Sequence, residues 1–381
     1  MTRHRMKTFV AAVAALLAAT ASAGAADFET PAKHVIIVDY ATGAELFAKM
    51  PDELMEPASM TKMMTVYMLF DRLKKGALSL TDTFLVSENA WRKQGSKMFV
   101  PVGGRVSVED LIRGIVVQSG NDASIVVAEG LAGSEDAFAQ QMTEKAHQLG
   151  MSNTVFKNAS GWPAPGHHTT ARDLAILAAA TIRNFPKYYA YYAEESFVYN
   201  GIKQGNRNPL LYRNTGADGL KTGHTEEAGY GLTASAQRGG MRLIMVAHGM
   251  ASMKERAAES NRLMDWAFRE FNGYPLFKGG EKVVDAQVWL GAAETVPLTL
   301  EEDLTVVIKR TSRKDLKVAA QLEEPVAAPI KKGAQIGRLV VTAPDMKPIE
   351  RPLLAAADVQ PLGMVGRFKE AVGYLVWGGG Q

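Results

Sequence analysis

Ser59 and Lys62 stand three residues apart in Pro57-Ala-Ser-Met-Thr-Lys62, ahead of an apolar run through Met63, Met64, Val66, Tyr67, Leu69 and Phe70. That spacing puts both side chains on one face of a helix, close to its N-terminus. A serine hydroxyl is a poor nucleophile until a base takes its proton. Lys62 can be that base only while its amine is neutral, which requires burial or a neighbouring cation, a part that Lys221 could play. The helix dipole and its unpaired N–H groups would favour negative charge on the serine and on an attacked carbonyl oxygen. Taken alone the pair is weak, because about one such spacing arises by chance in a chain of this length. It reads equally well as a surface helix start.

Two further groups strengthen it. Ser119-Gly-Asn121 sits where the apolar run Leu111 to Val117 ends and another helix begins, which presents a hydroxyl and an amide on a short loop. Such groups can relay a proton and hold a substrate backbone or the lysine amine, although a plain helix cap is the simpler reading. Ser87-Glu-Asn89 has the same three-letter pattern, but Ser119 is framed by apolar helices and is the better candidate. Lys221-Thr-Gly-His-Thr225 precedes a strand starting near Tyr230. Its cation, its hydroxyls on Thr222 and Thr225, and the bare backbone of Gly223 suit the carboxylate end of an extended peptide. The competing reading is a turn with a solvated lysine.

Ser-x-x-Lys, Ser-x-Asn and Lys-Thr-Gly in this order mark penicillin-binding proteins and class A β-lactamases. With the longer blocks Val117-Gln-Ser-Gly-Asn-Asp-Ala123, Asp218-Gly-Leu-Lys-Thr-Gly-His-Thr225 and Ala257-Ala-Glu-Ser260 followed by Trp266, the chain resembles the low-molecular-mass D-alanyl-D-alanine carboxypeptidases over essentially its whole mature length. The resemblance implies Ser59 as nucleophile, Lys62 as acylation base, and Ser119 and Asn121 in proton relay and positioning. It also implies that Lys221 and Thr222 bind the substrate carboxylate beside Gly223, and that the backbone N–H groups of Ser59 and His224 form an oxyanion hole. Arg256 matches a family arginine near that carboxylate, and Arg207 matches one at the cleft edge. The implied substrates are peptidoglycan stem peptides ending in D-Ala-D-Ala, with β-lactams as covalent inhibitors. No cofactor, metal or nucleic acid is implied. A class A-like β-lactamase, a DD-endopeptidase and a noncatalytic cell-wall scaffold remain as alternatives.

The elements that must hold these residues are legible in outline. Strands at His34–Tyr40 and Glu45–Ala48 are expected to form a hairpin, and helical periodicity follows at Ser59–Lys75, Val108–Gln118, Asp122–Leu131, Ser134–Leu149 and Thr170–Ile182. Thr170-Ala-Arg-Asp173 reads as a capping-box-like helix start. Strands return at Tyr230–Ala236 and Met241–His248, and a helix follows over Lys254–Phe271. This order predicts an α/β domain in which a mixed antiparallel sheet from both ends of the segment flanks a helical insertion, and the resemblance implies that it is the penicillin-binding/β-lactamase-like transpeptidase fold. Asn272-Gly-Tyr-Pro275 reads as a boundary. Strands at Lys282–Gly291, Leu304–Thr311, Leu316–Leu322 and Gln335–Thr342 then predict a small all-β domain. Leu362, Val365, Phe368, Val372 and Leu375 fall at helical spacing, predicting a terminal amphipathic helix. That helix either docks on the β domain or lies on a membrane surface. The expected division is 1–26, 27–272, 273–358 and 359–381.

Residues 1–26 carry Arg3, Arg5 and Lys7, an apolar run of 11 residues from Phe9 to Ala19, and small residues around Ala23. They read as an export signal, too short for the ~20 residues of a spanning helix. The resemblance further implies that the C-terminal amphipathic helix anchors the exported enzyme, so the expected location is the periplasmic side of the cytoplasmic membrane. Removing the three bases turns the net charge of +3 into a balanced chain, so the basic character says nothing about nucleic acid. The absence of cysteine excludes disulfides, thiolate nucleophiles and Cys-ligated metal. Seven histidines include no His-Glu-x-x-His pair, which leaves a metal site unsupported.

Overall fold

The computed structural model describes residues 28–323, 325–364 and 366. A leading unit ends at Pro31, and the unit from Ala32 onward holds every element below. It opens with the hairpin β1 (His34–Asp39) and β2 (Glu45–Lys49). A 3-10 turn at Ala58–Thr61 then enters α1 (Lys62–Lys74). Next come β3 (Thr83–Leu85), α2 (Glu88–Arg92), β4 (Arg105–Ser107), α3 (Val108–Val116), α4 (Asn121–Ala132), α5 (Glu135–Gln148) and α6 (Ala171–Asn184). After α7 (Pro186–Tyr189), a small hairpin of β5 (Ser196–Tyr199) and β6 (Ile202–Gly205) leads to three long strands, β7 (Ala217–Thr225), β8 (Gly229–Arg238) and β9 (Met241–Met250), and then to α8 (Met253–Glu270).

The long strands join the first hairpin in one antiparallel sheet, ordered β2-β1-β9-β8-β7. His34 lies opposite His248, and Lys221 opposite Thr233. The helical segment is thus inserted between two halves of one sheet, as its place in the sequence predicts. Strand β7, which carries the Lys-Thr-Gly group, stands at an edge of this sheet.

Helix α1 is the central post. Its residues Lys62 to Phe70 are all buried, and a helix wrapped on every side belongs in the middle of a domain. Helices α3, α4, α5 and α6 pack around it. The ring of Phe70 meets Phe185, Tyr188 and Tyr192 at centroid distances of 5.7, 5.4 and 6.3 Å. Gly76, at φ +70°, ends the helix, with its N–H donating to Leu73 O and the Ala77 N–H to Arg72 O. The helix starts are side-chain capped: Ser107, Ser134, Thr170 and Ser252 each accept from the backbone N–H three residues on. Asp173 does not reach back to Thr170 as a capping box would. Its carboxylate accepts instead from Asn153 N and Thr154 Oγ1 and ties down the preceding loop.

Three local readings change. Helix α1 begins at Lys62 after a 3-10 turn rather than at Ser59. Tyr199-Asn-Gly-Ile202 forms a hairpin that the sequence analysis passed over, with Asn200 and Gly201 at φ +49° and +76°. An Asn-Gly pair between strands is the strongest short-range hairpin signal. Asn272–Pro275, read as a boundary, belongs to β10 (Phe271–Phe277), which α8 enters without a linker. Pro275 is accommodated because β10 has a partner on one side only, later strand Leu304–Lys309.

The C-terminal region continues through β11 (Lys282–Trp289), β12 (Thr295–Thr299), β13 (Leu304–Lys309), β14 (Lys317–Leu322), β15 (Val326–Ala327), β16 (Gln335–Thr342) and β17 (Ile349–Ala355). Its main sheet has the order β14-β16-β17-β12-β11-β15. Ala286, Val296, Leu298, Val306, Leu339, Val341 and Leu353 form a core separate from that of the helices. Val359 and Pro361 make β-bridges to Ile330 and Gly291, so the chain is still tied to the β region where the terminal helix was expected to start. The remainder of that expected helix, and the expected export signal, lie outside the described residues. Among the described residues, no helix is long and apolar enough to cross a membrane.

Replacing Phe70 by Ala should lower the unfolding free energy by about 3–5 kcal/mol, the cost of an aromatic-sized cavity in a packed core. Urea unfolding followed by tryptophan fluorescence measures this, and a loss under about 1 kcal/mol would contradict the central role given to α1.

Candidate active site

The serine sits on a turn gripped from two sides. Ala58, just before it, adopts φ +46°, a left-handed conformation uncommon for a residue with a side chain. On one flank a Cβ at Gly161 would come within 1.7 Å of Ala58 O. On the other a Cβ at Gly223 would meet Pro57 O at 3.0 Å and Ala58 Cβ at 3.2 Å. Gly223 therefore lets β7 close against the serine turn, a packing reason for a glycine that the sequence alone connected with substrate approach.

Lys62 Nζ lies 2.8 Å from Ser59 Oγ, 2.8 Å from Asn121 Oδ1 and 2.6 Å from Ser160 O. Lys62 has no solvent exposure, and burial holds its amine well below the ordinary lysine range, with Arg207 the leading cationic contribution. The charge coupling of Lys62 with Lys221 is mutual, so Arg207 joins Lys221 in the part that the sequence analysis offered to Lys221 alone. Lys221 is itself buried and lowered well below its ordinary range, first by desolvation and then by Lys62, Arg207 and Arg256.

The Ser-Gly-Asn group lies at the N-terminus of α4. Asn121 Nδ2 donates to Gln94 O at 2.8 Å, which orients the amide so that its oxygen faces Lys62. Asn121 N donates to Ser96 O, and the Asp122 carboxylate accepts from the backbone N–H groups of Met98, Phe99 and Val100. Two adjacent residues thereby hold the 94–100 segment along the cleft. Ser119 adopts φ +66°, and its buried hydroxyl makes no hydrogen bond to a described residue. It is brought to the site but left free for another partner. Ser87 instead caps α2, accepting from Ala90 N.

Lys221, Thr222, Gly223 and His224 all lie within β7. Lys221 Nζ donates to Thr222 O at 3.2 Å, and the exposed His224 ring stacks on Tyr230 at 3.9 Å. Arg207 Nη1 donates to Ser96 Oγ, and Arg256 Nη2 to Arg207 O, with the Arg256 guanidinium 5.8 Å from the Tyr230 ring. None of Lys62, Lys221, Arg207 and Arg256 forms an ion pair with a described residue. An uncompensated cationic cleft beside an activated hydroxyl and an open strand edge suits an extended peptide that ends in a carboxylate.

Sequence reasoning missed the Asn158–Trp162 loop. Asn158 Oδ1 accepts from the backbone N–H groups of Ser160, Gly161 and Trp162, and this fold of the loop aims Ser160 O at Lys62. Asn-Ala-Ser-Gly is turn-forming, but nothing local to it says which distant amine it will meet. His167, noted only as a possible metal ligand, accepts at Nδ1 from Lys157 N and so carries its proton on Nε2, which donates to Thr61 Oγ1 at 3.0 Å. Among the described residues, no group of three or more potential ligands could hold a metal ion.

Comparison with known proteins was made on this geometry. A family model described as D-alanyl-D-alanine carboxypeptidase matches residues 19–252, and one described as the C-terminal domain of penicillin-binding protein 5 matches residues 271–361. The D-alanyl-D-alanine carboxypeptidase DacC of Escherichia coli is 40% identical over 363 residues, which cover 92% of this chain and 91% of the relative. Penicillin-binding protein 5 of Haemophilus influenzae superposes with a TM-score of 0.80 at 37% identity, covering 88% of this chain and 100% of the other. Penicillin-binding protein D2 of Listeria monocytogenes, in its ampicillin-bound form, does so with a TM-score of 0.59 at 28% identity over 64% of this chain and 99% of its own.

Burial lowers His167 to about 4 from an ordinary 6.5. Between those values the unfolded chain binds the extra proton and the folded one does not. The histidine therefore has no effect on stability above about pH 6.5, and it destabilises progressively as the pH falls to 4, by up to about 3 kcal/mol. Thermal unfolding from pH 7 to 4 should fall less steeply in His167→Gln than in the wild type, and equal slopes would show that the imidazole protonates freely in the folded state.

Proposed function

The chain belongs to the D-alanyl-D-alanine carboxypeptidase family, and from that premise we propose that Ser59 is its nucleophile and Lys62 its acylation base. The enzyme is a serine-type D-Ala-D-Ala carboxypeptidase, a hydrolase. The observation that carries the residue assignment is the set of three oxygens around Lys62 Nζ. Two of them, Asn121 Oδ1 and Ser160 O, are carbonyls that can only accept. A neutral amine has two N–H donors and one lone pair, so serving both carbonyls points the lone pair at the Ser59 hydroxyl.

Ser59 Oγ then attacks the carbonyl of the penultimate D-alanine as its proton passes to Lys62. The resulting ammonium has three donors for the same three oxygens. The backbone N–H groups of Ser59 and His224 stabilise the oxyanion, and Lys221, Thr222, Arg207 and Arg256 hold the terminal carboxylate while Gly223 keeps β7 against the serine. Ser119, with its unsatisfied hydroxyl, and Asn121 connect Lys62 to the departing amine. Loss of D-alanine leaves an acyl-enzyme, which water releases. β-Lactams are expected to acylate the same serine, in keeping with the ampicillin-bound form of the similar penicillin-binding protein D2 of Listeria monocytogenes. A class A-like β-lactamase is disfavoured, because the chain matches carboxypeptidase relatives along nearly its whole length, including a C-terminal domain like that of penicillin-binding protein 5. A DD-endopeptidase or a noncatalytic scaffold gains no specific support.

Residues 1–26 are read as the export signal, 27–270 as the catalytic domain, 271–361 as the β domain, and the residues after Pro361 as a helix resting on the periplasmic face of the cytoplasmic membrane. The amphipathic pattern after Pro361 and the basic, apolar start of the chain support this arrangement.

A protein lacking residues 1–26 should release D-alanine from a pentapeptide ending in D-Ala-D-Ala, and Ser59→Ala should lower the rate by at least about a thousandfold. Failure of both proteins to release D-alanine would sink the assignment. Because acylation needs the neutral amine, kcat/KM should rise with pH through the lowered Lys62 pKa. In Arg207→Gln, which removes a cation that depresses it, this acid limb should move to higher pH. No movement, or movement to lower pH, would exclude Lys62 as the titrating base.

A further inference from the structure

One cation and one aromatic ring at the cleft rim have no part in the reaction just described. Lys93 follows α2, is half-buried, and places Nζ 5.0 Å from the centroid of the Trp162 ring. It forms no ion pair with a described residue, unlike neighbouring Arg92, which pairs with Glu88. Trp162 remains 41% exposed, although its backbone is clamped at both ends: its N–H donates to Asn158 Oδ1, and its carbonyl accepts from Asn158 Nδ2. Gly95 clears the space between the ring and Asn121, since a Cβ there would meet Trp162 Cζ3 at 3.1 Å and Asn121 Nδ2 at 2.7 Å. The ring is therefore a fixed platform two residues from Ser160, whose carbonyl touches Lys62.

The side of the nucleophile on which this platform stands identifies what it meets. Strand β7 covers one flank of the serine turn through Gly223, and the Trp162 loop covers the other through Gly161. A peptide whose terminal carboxylate lies among Lys221, Arg207 and Arg256 carries its preceding residues past Ser59 along the groove between β7 and the Trp162 loop. We propose that Lys93 and Trp162 form a subsite for the residue preceding the two D-alanines, favouring a side chain with an aliphatic stem that ends in a carboxylate over one that ends in an ammonium. The stem packs on the indole face and the carboxylate pairs with Lys93, while a terminal ammonium meets like charge. This inference rests on the carboxypeptidase reading of Ser59.

The test compares D-alanine release from two acetylated tripeptides, X-D-Ala-D-Ala with X either L-2-aminoadipate or L-lysine. The wild type should favour the aminoadipyl peptide in kcat/KM by about three- to tenfold, the range of a partly exposed charge contact. Lys93→Gln should bring that ratio close to one. Trp162→Ala should raise KM for both peptides with little change in kcat. Because the ratio is taken within each protein, loss of folded protein cancels from it. A wild-type ratio of one, or a ratio that survives Lys93→Gln, overturns the assignment of Lys93. So does an equal loss on both peptides accompanied by a shifted acid limb, which would mean that Lys93 acts only on the proton affinity of Lys62. An unchanged KM in Trp162→Ala overturns the role of the ring. Release from neither peptide by the wild type would instead count against the carboxypeptidase reading itself.

Discussion

An amine sealed inside a protein has to be neutral for much of its time, and the molecule is arranged around that constraint at Lys62. Transfer of an ammonium from water into the interior is expensive, so the folded state lowers its proton affinity. The remaining requirement is geometric, because an unprotonated buried amine still needs its two N–H groups and its lone pair satisfied. Asn121 and Ser160 take the N–H groups, and Ser59 is left to face the lone pair. Stability and the proposed chemistry thus make the same demand on this residue, and the proposed base is also a hydrogen-bonded centre of the core.

The supports of that centre come from distant parts of the chain. Asn121 is oriented by Gln94, Ser160 by the Asn158 amide, and the serine turn by the two glycines that press on it from opposite walls. Each support fixes position through groups that have little freedom to move: backbone carbonyls, a clamped amide, a glycine in contact with main chain. The cleft consequently presents a preorganised arrangement of dipoles and cations. The left-handed backbone at Ala58, Phe99 and Ser119 marks places along the cleft where local conformational preference gives way to this arrangement.

Charge is distributed unevenly for a chain whose acids and bases nearly balance. Arg172 and Arg242 are paired with carboxylates, whereas Lys62, Lys221, Arg207 and Arg256 are gathered without one. Their mutual repulsion disfavours the empty site and is relieved when an anion enters. The same field depresses both lysines, so the groups that attract a carboxylate also prepare the base.

Much of this was legible in the sequence. Short-range chemistry is written in spacing: Ser59 and Lys62 share a helix face because helices repeat every 3.6 residues, Thr170 caps because it precedes an apolar period, and Gly239-Gly240 turns a hairpin because glycine accepts a positive φ. The order of the three motifs was enough to identify the family. Other features were hidden where two local signals competed, as at Asn272–Pro275, whose turn-forming residues lie in a strand because an edge strand tolerates proline. What the sequence by itself determined were the family, the candidate residues for its chemistry and the kinds of element that carry them. Only the tertiary structure decided that Arg207 joins Lys221 among the cations acting on Lys62, that Ser160 supplies its third oxygen, that Gly223 is bare to admit the serine turn, and that Lys93 and Trp162 share a rim. The physical reason is that hydrogen bonds and charge act through distances in space: Asn121 and Ser160 lie 59 and 98 residues from Lys62 in the chain, and Arg207 lies farther still.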